Sequence, residues 1–367
     1  MKIGIDARLI HETGVGRYIR NLITELALID TKNTYVIFLP KSVYETFQLP
    51  NTNWKKRQCD IHWHTVKEQL LMPGIFLKEH LDLLHVPYFN APIFYPKPYV
   101  LTIHDLTILH VKTGKATTLP KPLYWVRRLG YQYILRQGIK KAWHIIAVSE
   151  ATKQDIVKSI GIEKEKISVT YEGIDNQITK ISSKKSIIGC PYFLYVGNAY
   201  PHKNLEFLIK SFGIFCEQKA FNKYKLVLVG KDDFFYKRLK IWVATLPYKE
   251  RIQFFGPADD GQLAALYTYA KSFIFPSLME GFGLPALEAI GCGCPVICSD
   301  IPVFHELFGS IPNFINPHDE ASLVRALIAA ANREKFVLTE EQKRIIAVYR
   351  WTKTAKETLH IYEGLSL

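Results

Sequence analysis

Long apolar runs, a recognisable leader segment and paired cysteines are all missing from this sequence of 367 residues. No run approaches the roughly 18 to 20 apolar residues that a membrane-spanning helix needs. Asp6 and Arg8 interrupt the stretch where a secretory signal would need unbroken apolar sequence. The six cysteines show no disulfide-like spacing. These absences argue against a membrane-spanning or disulfide-stapled protein, and we expect a soluble protein of the reducing cytoplasm.

Acidic residues are absent from one long stretch, residues 106–149, in a chain whose formal net charge is +13. The basic residues of that stretch are Lys112, Lys115, Lys121, Arg127, Arg128, Arg136, Lys140 and Lys141. Such a block is typical of a protein with a polyanionic partner, which can be a nucleic acid, a membrane surface or a phosphorylated substrate. These residues follow no known nucleic-acid-reading motif, so we do not expect a nucleic-acid partner.

Patterns that would bind a metal are scarce as well. The run CGCPVIC, residues 292–298, holds three cysteines, but they flank or lie inside an apolar strand and no partner cluster accompanies them. We interpret Cys292, Cys294 and Cys298 as small buried residues. No D-x-D-like pair of carboxylates follows a predicted strand, and no metal ion is expected.

Short β-branched strands, by contrast, recur between segments of helix length. Strands are predicted at residues 2–7, 35–40, 83–87, 99–105, 144–149, 192–198, 225–230, 252–257, 272–277 and 295–300. Apolar strands that alternate with helices indicate parallel sheets covered on both faces. A polar, strand-poor segment, residues 177–191, divides the chain. We predict an α/β protein of two doubly wound, Rossmann-like domains, 1–180 and 181–349, that face a cleft at the carboxyl ends of their strands.

Two glycines follow the first predicted strand. Gly14 and Gly16 precede a helix that is predicted to start near residues 15–17. Glycines at such a turn let a phosphate approach the backbone at the helix N-terminus. The dinucleotide fingerprint is incomplete, because a third glycine and an acidic residue after the next strand are missing. From the residues alone, a plain tight turn explains these glycines better.

Lys203 follows the strand predicted at residues 192–198. Pro201 predicts the start of a helix there, which places Lys203 in its first turn, with His202 beside it. A lysine in a first turn opposes the helix dipole, so the position suits it only if an anion binds at that helix terminus. The alternative is a solvated surface lysine.

Segment 278–300, LMEGFGLPALEAIGCGCPVICSD, sets the turn G-F-G-L-P between Glu280 and Glu288. The proline predicts a helix start. The amides that would then lack helical partners are those of Phe282, Gly283 and Leu284. These amides could hold a diphosphate, while one carboxylate receives ribose hydroxyls and the other lies near a transferred group. The alternative is that Glu280 is a helix cap and Glu288 a surface residue.

The order of these motifs resembles that of the retaining GT-B glycosyltransferases of family four, which include many bacterial mannosyl- and glucosyltransferases. The resemblance covers essentially the whole chain. It rests on G-V-G-R-Y, TIHDL, AVSEATKQDI, VGNAYPHKNL, SLMEGFGLPALEAIGCGCPVICSDIPVFHEL and a final W…A..T…Y helix, in that order. The last helix of this family often crosses back, so residues 350–367 are expected to pack on the N-terminal domain.

The resemblance assigns roles to the matching positions. Lys203 would bind the donor diphosphate and Glu288 the ribose, while Glu280 and the amides of residues 282–284 would face the donor sugar and phosphates. Gly14 and Gly16 would let the phosphate approach the N-terminal domain. The predicted catalytic residues are His104, Glu280 and Lys203, and the predicted donor-binding residues are Gly14, Gly16, Asn198, His202, Lys203, Phe282, Gly283, Leu284 and Glu288.

The resemblance and the residues of this chain do not fully agree at three of these positions, His104, Asn198 and His202. His104 would lie beside the transferred sugar, near the anomeric centre, whereas the residues alone favour a strand-end histidine with satisfied hydrogen bonds. Many family members have arginine where this chain has Asn198 and His202. The positive charge that binds the donor diphosphate would then come from Lys203 with the titratable His202 beside it. This arrangement binds phosphate more weakly than the two-pronged guanidinium group of an arginine.

The function implied is the transfer of a hexose, mannose first and glucose next, from a nucleotide-diphosphate sugar to a glycan or lipid-linked acceptor in polysaccharide assembly. Retention of configuration is implied, with no cofactor and no metal ion, because amides, a helix terminus and Lys203 would stabilise the leaving phosphate. The alternatives are a nucleotide-sugar-binding protein without transferase activity, or an epimerase or phosphorylase on the same fold.

The acid-free block predicts one further surface, in residues 111–141. A helix there would have an apolar side formed by Leu123, Val126, Leu129, Tyr133 and residues 135–136. Its margins would carry Tyr124, Trp125, Arg127, Arg128, Tyr131, Lys140 and Lys141. Aromatic and basic side chains together suit the headgroup region of an anionic membrane, so the protein is expected to lie peripherally on the inner membrane face. The alternative is an ordinary domain helix whose aromatic residues are in the core.

Overall fold

The computed structural model describes residues 1–111, 121–174, 178, 185–333 and 336–366. The chain forms two compact units. The first unit comprises Met1–Gly173 together with Tyr349–Leu367, and the second comprises Ile174–Val348. The second unit is therefore inserted into the first. The boundary predicted from the sequence lay at residues 180–181, a few residues after the division at 173–174.

The first unit alternates strands and helices from its first residues. Its elements before the insertion are β1 Lys2–Asp6, α1 Gly14–Ile29, β2 Thr34–Leu39, α2 Lys41–Tyr44, β3 Trp54–Gln58, α3 Val66–Lys78, β4 Leu83–Val86, β5 Tyr99–Ile103, α4 Thr107–His110, α5 Lys121–Lys141, β6 His144–Ala147, α6 Glu150–Ile160 and β7 Ile167–Val169.

The second unit repeats the alternation. Its elements are β8 Tyr192–Val196, α7 Leu205–Cys216, β9 Lys225–Val229, α8 Phe234–Val243, β10 Ile252–Gly256, α9 Asp260–Tyr269, β11 Ser272–Phe275, α10 Leu284–Gly291, β12 Val296–Ser299, α11 Pro302–Phe308, β13 Asn313–Ile315, α12 Glu320–Asn332 and α13 Glu340–Ala347. The chain then returns to the first unit with α14, Trp351–Glu363.

Each unit is built on one parallel sheet. The first sheet has seven strands in the order β3-β2-β1-β4-β5-β6-β7, and the second has six in the order β10-β9-β8-β11-β12-β13. The central strands are buried on both faces, as in β4, β5 and β11, because helices cover both sides of a parallel sheet. The predicted fold class, two doubly wound α/β domains, is confirmed.

The order of strands creates one switch point in each sheet. From β1 the chain winds outward through β2 and β3, and then crosses to β4 on the other side of β1. From β8 it winds through β9 and β10 and crosses to β11 on the other side of β8. The loops after the two central strands diverge at such a point and leave a crevice, which is where open α/β sheets bind ligands.

All ten strands predicted from the sequence are present, and the described part of the chain contains three more that were missed. The missed strands, β3, β7 and β13, each lie at the edge of a sheet. An edge strand has one neighbour and is partly solvated, so it lacks the continuous apolar run of a central strand. The burial of β3, WKKRQ, illustrates this, since only its tryptophan is fully buried.

α14 is fixed to the first unit by packing and by hydrogen bonds. It packs along α1, and Thr352 donates a hydrogen bond to Glu25 of that helix. The Tyr362 hydroxyl is paired with Nδ1 of the fully buried His85 on β4. Gly173 lies so close to α14 that a Cβ there would come within 2.2 Å of the Trp351 amide nitrogen.

α5 differs from its sequence-based description. Leu135, placed on the apolar side, is fully buried, and Arg128, which was placed at a margin, is only 6% exposed. Arg128 donates hydrogen bonds to the carbonyls of Leu109 and Val111. Its guanidinium therefore connects parts of the fold and is not a charge of the exposed surface. The side chain of Leu123 lies outside the described residues, as do residues 112–120.

The cysteines of residues 292–298 are buried or half-buried thiols, as predicted. Burial raises the pKa of Cys292 to about 12 and also raises those of Cys294 and Cys298. Among the described residues, no helix combines the length and the apolar character needed to cross a membrane.

Candidate functional site

The second unit brings two predicted site residues together at its switch point. Lys203 follows β8 in a short 3-10 turn, residues 201–203, and Glu280 follows β11. The two loops are joined by a hydrogen bond from the Leu278 amide to the His202 carbonyl, 2.8 Å long. Neighbouring strands of the sheet therefore deliver both side chains to the same crevice.

Lys203 and Glu280 form an ion pair. Lys203 Nζ lies 2.6 Å from Glu280 Oε1, and the side chains are 15% and 11% exposed. Nζ also lies 5.6 Å from the centre of the Phe275 ring. The alternative of a solvated surface lysine is therefore wrong. The ammonium group is held in one place by a carboxylate and an aromatic face, with a part of it open to solvent.

Pro201 starts a helix as predicted, but only a single 3-10 turn, residues 201–203, and the α-helix begins later. α7 starts at Leu205, and Asn204 before it has a left-handed conformation, with φ of 60°. Asn204 is held there by a hydrogen bond from its side-chain amide to the Pro317 carbonyl, 2.9 Å long. Lys203 thus lies in the 3-10 turn that Pro201 starts and precedes the α-helix. The sequence could not show this, because a left-handed asparagine is set by tertiary contacts.

The glycine turn before α10 needs glycine for steric reasons. Gly283 has φ of 114°, and a Cβ at this position would lie 3.0 Å from the Phe304 ring. Gly283 occupies the N-cap position of α10 without a side-chain cap, and the helix begins at Leu284. The interpretation of Glu280 as a cap of this helix is therefore wrong.

Glu288 lies one turn inside α10 and is only 4% exposed. Its Oε2 accepts a hydrogen bond from the hydroxyl of Tyr267, 3.3 Å away. The interpretation of Glu288 as a surface residue is wrong. A buried carboxylate of this kind needs hydrogen-bond donors. The predicted role of Glu288, which is to accept hydrogen bonds from the ribose hydroxyls of the nucleotide, stays a prediction.

Asn198 and His202, which replace the arginines of many family members, lie in the loop after β8. The Asn198 side chain accepts from the Tyr200 amide at 3.4 Å, and its carbonyl accepts from the Tyr195 hydroxyl at 2.7 Å. The Tyr236 hydroxyl donates to the Gly197 carbonyl at 2.9 Å. Two buried tyrosines thus shape this loop. The sequence analysis missed them, although a tyrosine in an apolar strand, as Tyr195 is in β8, signals a hydroxyl in need of a partner.

In the first unit, the two glycines before the body of α1 are in different situations. A Cβ at Gly16 would come within 2.6 Å of the Ile10 carbonyl oxygen, so close packing alone requires glycine there. A Cβ at Gly14 would meet nothing within 4 Å. Tight packing explains Gly16, whereas the space at Gly14 is compatible with the predicted approach of a phosphate.

His104 directly follows β5, and both of its ring nitrogens have partners. Nδ1 lies 3.0 Å from Glu172 Oε1, and Nε2 lies 3.1 Å from the Pro87 carbonyl oxygen. Both partners accept hydrogen bonds, so both nitrogens can donate only in the doubly protonated form of the ring. The edge of Tyr18 packs on the ring, with 5.0 Å between centroids. Both ring nitrogens of this strand-end histidine thus lie within hydrogen-bonding distance of a protein acceptor, and its catalytic role stays a prediction.

Comparison with known proteins assigns both halves of the chain. Residues 13–177 match the family model described as Glycosyltransferase Family 4, and residues 177–349 match the one described as Glycosyl transferases group 1. The O-antigen chain mannosyltransferase RfbU of Salmonella typhimurium is 27% identical over 330 residues, which are 86% of each chain. The O-antigen chain mannosyltransferase B of Escherichia coli is 23% identical over 96% of each chain.

Solved structures share the fold at low sequence identity. The sucrose-phosphate synthase of Thermosynechococcus elongatus is similar over 100% of this chain and 99% of its own, with a TM-score of 0.77 and 18% identity. Anabaena HepE, solved in complex with UDP and glucose, is similar over 100% and 99%, with a TM-score of 0.71 and 18% identity. Because the two family models together span residues 13–349, the chain belongs to the family-four glycosyltransferases, which have the GT-B fold.

Proposed function

We propose that this glycosyltransferase moves a hexose, mannose first and glucose next, from a nucleotide-diphosphate sugar to a glycan or lipid-linked acceptor, with retention of configuration. The observation that carries the proposal is the ion pair of Lys203 and Glu280 at the switch point of the second sheet. The preference for mannose is supported by relatives named as mannosyltransferases that match 86% and 96% of this chain.

The proposed chemistry follows from where charge develops. Cleavage of the bond between the sugar and the diphosphate leaves negative charge on the phosphate. Lys203, held by Glu280, and the N-terminal end of α10 after Gly283 would stabilise that charge. Attack by the acceptor hydroxyl on the face that the phosphate leaves would retain the configuration, and the leaving phosphate would take the hydroxyl proton. No protein base is then required.

The experiment that tests the proposal combines binding with product analysis. Unfolding midpoints measured with GDP-mannose, UDP-glucose and the free nucleotides should rise for one nucleotide sugar, since a ligand that binds the folded state stabilises it. NMR of the product should show the anomeric configuration of the donor. The proposal fails if no nucleotide-diphosphate sugar raises the midpoint, or if the configuration is inverted.

The proposal includes a membrane partner, for which the outer face of α5 is suited. This α5 face consists of Trp125, Val126, Leu129 and Tyr133, which are 48%, 67%, 63% and 58% exposed. Val126, Leu129 and Tyr133, spaced i, i+3 and i+7, share a side of the helix that points away from the buried Arg128, Leu135 and Ile139, and Trp125 lies at the margin between the two sides. An ordinary domain helix with its aromatic residues in the core would not expose this face.

The charge around the α5 face favours an anionic lipid surface over a protein. Arg127, Arg136, Lys140 and Lys141 are exposed on the same helix, and residues 106–149 contain no acidic residue. Apolar and aromatic side chains enter the headgroup region, and each basic residue adds on the order of 1 kcal/mol near an anionic surface. We expect the first unit to dock on the cytoplasmic leaflet and to meet its acceptor there.

A further inference from the structure

Glu172 is a buried carboxylate that none of the predicted roles uses. It follows β7, whereas His104 directly follows β5, and β6 lies between these two strands in the sheet. Glu172 Oε1 lies 3.0 Å from His104 Nδ1, and the two side chains are 4% and 14% exposed. Both residues belong to the first unit. The carboxylate is therefore a direct neighbour of a residue that is predicted to be catalytic.

The contacts of the His104 ring determine where its protons lie. Nδ1 faces the carboxylate of Glu172, and Nε2 lies 3.1 Å from the Pro87 carbonyl oxygen. Neither an ionised carboxylate nor a carbonyl can donate a hydrogen bond. A neutral ring has one nitrogen without a proton, and the lone pair of that nitrogen would face an oxygen lone pair. Both contacts are favourable only when both nitrogens are protonated, which makes the ring a cation beside a carboxylate.

The surroundings of this pair are better suited to function than to stability. A buried ion pair contributes little to stability, because the hydration that both charges lose offsets their attraction. A carboxylate that accepts from one nitrogen of an imidazole fixes the orientation of the ring and the position of its protons. The edge of Tyr18 packs on the same ring, with 5.0 Å between centroids, and further restricts its orientation.

The segment that carries Glu172 is held by α14 on both sides of this residue. Before it, the carbonyl of Tyr171 accepts a hydrogen bond of 2.5 Å from Thr354 Oγ1. After it, Gly173 packs directly against the backbone at Trp351, where a Cβ on the glycine would not fit. The backbone around Glu172 is thus positioned by the helix that returns to the first unit.

We propose that Glu172 is a positioning residue for His104, an inference that rests on the proposed function. Held in place by α14, its carboxylate orients the ring and keeps a proton on Nδ1, so that His104 carries a positive charge. At its predicted position beside the transferred sugar, a charged ring would help to stabilise the negative charge that develops on the leaving phosphate. Glu172 acts through His104, because its own side chain is buried and bonded to the ring.

Glu172→Gln tests the protonation of the ring, since it keeps the shape of the side chain and removes its charge. The new amide can donate to Nδ1 while Nε2 donates to the Pro87 carbonyl, so the variant favours a neutral ring. Nitrogen-15 NMR of the full-length protein with labelled histidine, at pH 7, reports the protonation of each ring nitrogen. His104→Ala identifies the signals of His104 among those of the 12 histidines.

Both ring nitrogens of His104 should carry a proton in the wild type, and only Nε2 should carry one in Glu172→Gln. Glu165→Gln makes the same chemical change at an exposed glutamate of the first unit and should leave the signals unchanged. A neutral His104 ring in the wild type would overturn the proposal.

Kinetics test whether Glu172 acts through His104. Glu172→Gln should lower kcat about tenfold and leave the KM for the donor within about twofold, because the affected charge acts mainly in the transition state. In the His104→Ala background the same substitution should change kcat less than about twofold, since the residue that it positions is absent. An equal loss of kcat in both backgrounds is the result expected of a merely structural carboxylate, and it would overturn the proposal.

Two threonines of α14 supply a second pair of variants. Thr354→Val removes the hydrogen bond to the Tyr171 carbonyl and should lower kcat about threefold, with the KM for the donor unchanged. Thr352→Val removes the exposed hydrogen bond to Glu25 and should leave kcat unchanged. Equal kcat in these two variants would show that α14 does not position Glu172.

The same measurements separate this proposal from the proposed function. Wild-type kcat in Glu172→Gln, or a higher KM for the donor with unchanged kcat, would overturn the positioning role. If Lys203→Ala and Glu280→Gln still lower the transfer rate in that case, the proposed function stands and the role of Glu172 alone fails.

Discussion

At the scale of single residues, the ion pair of Lys203 and Glu280 is better suited to function than to stability. Two charges that are mostly removed from water lose hydration that their attraction only partly restores. Removal of either partner also leaves the other charge unpaired in the same crevice. The pair should therefore act as a unit, in which Glu280 sets the position of the ammonium that we propose binds the donor phosphate.

Lys203→Ala and Glu280→Gln should each lower the transfer rate by at least ~100-fold, the scale of losing one contact to a charge that develops in the transition state. Turnover is to be measured at saturating donor, with folding checked by circular dichroism. Lys210→Ala, an exposed lysine of α7, and Glu250→Gln, an exposed glutamate of the same unit, serve as controls. Near-normal turnover in either folded site variant would remove the assignment.

Glu288→Gln should act mainly on donor binding. A ribose contact is made equally in the ground and transition states, so its loss raises the KM for the donor and leaves kcat nearly unchanged. Tyr267→Phe, which removes the hydrogen bond to Glu288, should have a smaller effect of the same kind. Donor titration by calorimetry checks both variants. A loss of kcat with unchanged donor affinity would contradict the ribose role.

The sequence named many of the site residues but not the contacts among them. Lys203 and Glu280 are 77 residues apart, and the motif gave each a role without indicating that they pair. His104 was named, yet its partner Glu172, 68 residues later, was not. Both pairs arise because parallel strands bring distant loops to one sheet edge, which periodicity along the chain cannot show.

At the scale of elements, α5 shows that tertiary contacts decide which side chains of a helical sequence pattern face the solvent. The sequence predicted the helix and its lack of acids, but it could not tell which residues face outward. The guanidinium of Arg128 donates hydrogen bonds to two backbone carbonyls, so substitution of Arg128 would not test membrane binding. Arg127 and Arg136 are the exposed arginines of this helix.

Flotation with liposomes tests the α5 face. The protein should float with vesicles that contain phosphatidylglycerol and not with pure phosphatidylcholine, and added salt should weaken the binding because exposed charges are screened. Arg127→Glu with Arg136→Glu should abolish flotation. Lys219→Glu with Lys223→Glu makes the same charge change at exposed positions of the second unit and should not. If anionic vesicles do not bind the wild type even at low salt, a soluble acceptor becomes the better interpretation.

The link between β4 and α14 should make the first unit sensitive to acid. Burial lowers the pKa of His85 from 6.5 to about 3, so the ring is neutral in the folded state. The unfolded chain binds a proton at higher pH than the folded one. Stability from this group is therefore full above about pH 6.5 and is lost as the pH falls toward 3. Burial, with help from Arg127, also lowers the pKa of His64, to about 4, and adds to the effect.

Thermal unfolding between pH 7.5 and pH 5 measures this dependence. The midpoint should fall over this range in the wild type. In His85→Gln it should be lower at pH 7.5 and fall less steeply, since one group that protonates on unfolding has been removed. His11→Gln, at an exposed histidine, should retain the wild-type slope. An unchanged slope in His85→Gln would show that another group controls the acid sensitivity.

At the scale of the whole molecule, activity should survive chelation by EDTA. The proposed site stabilises the leaving phosphate with Lys203 and with the N-terminal end of α10, which chelators do not remove. Initial rates are to be compared before and after dialysis against EDTA, with magnesium or manganese added back. Complete loss restored by a divalent ion would show that fixed charges alone do not account for the leaving group.

The insertion of the second unit between Gly173 and Tyr349 affects the order in which the two units can fold during synthesis. α1 packs along α14, so the first unit stays incomplete until residues 351–363 have left the ribosome. At ~5 to 20 residues per second, synthesis of residues 174–348 takes roughly 10 to 35 s. The second unit can complete its own sheet within that interval, because its last strand, β13, ends at Ile315. The half of the chain that is made first is therefore the half that finishes folding last.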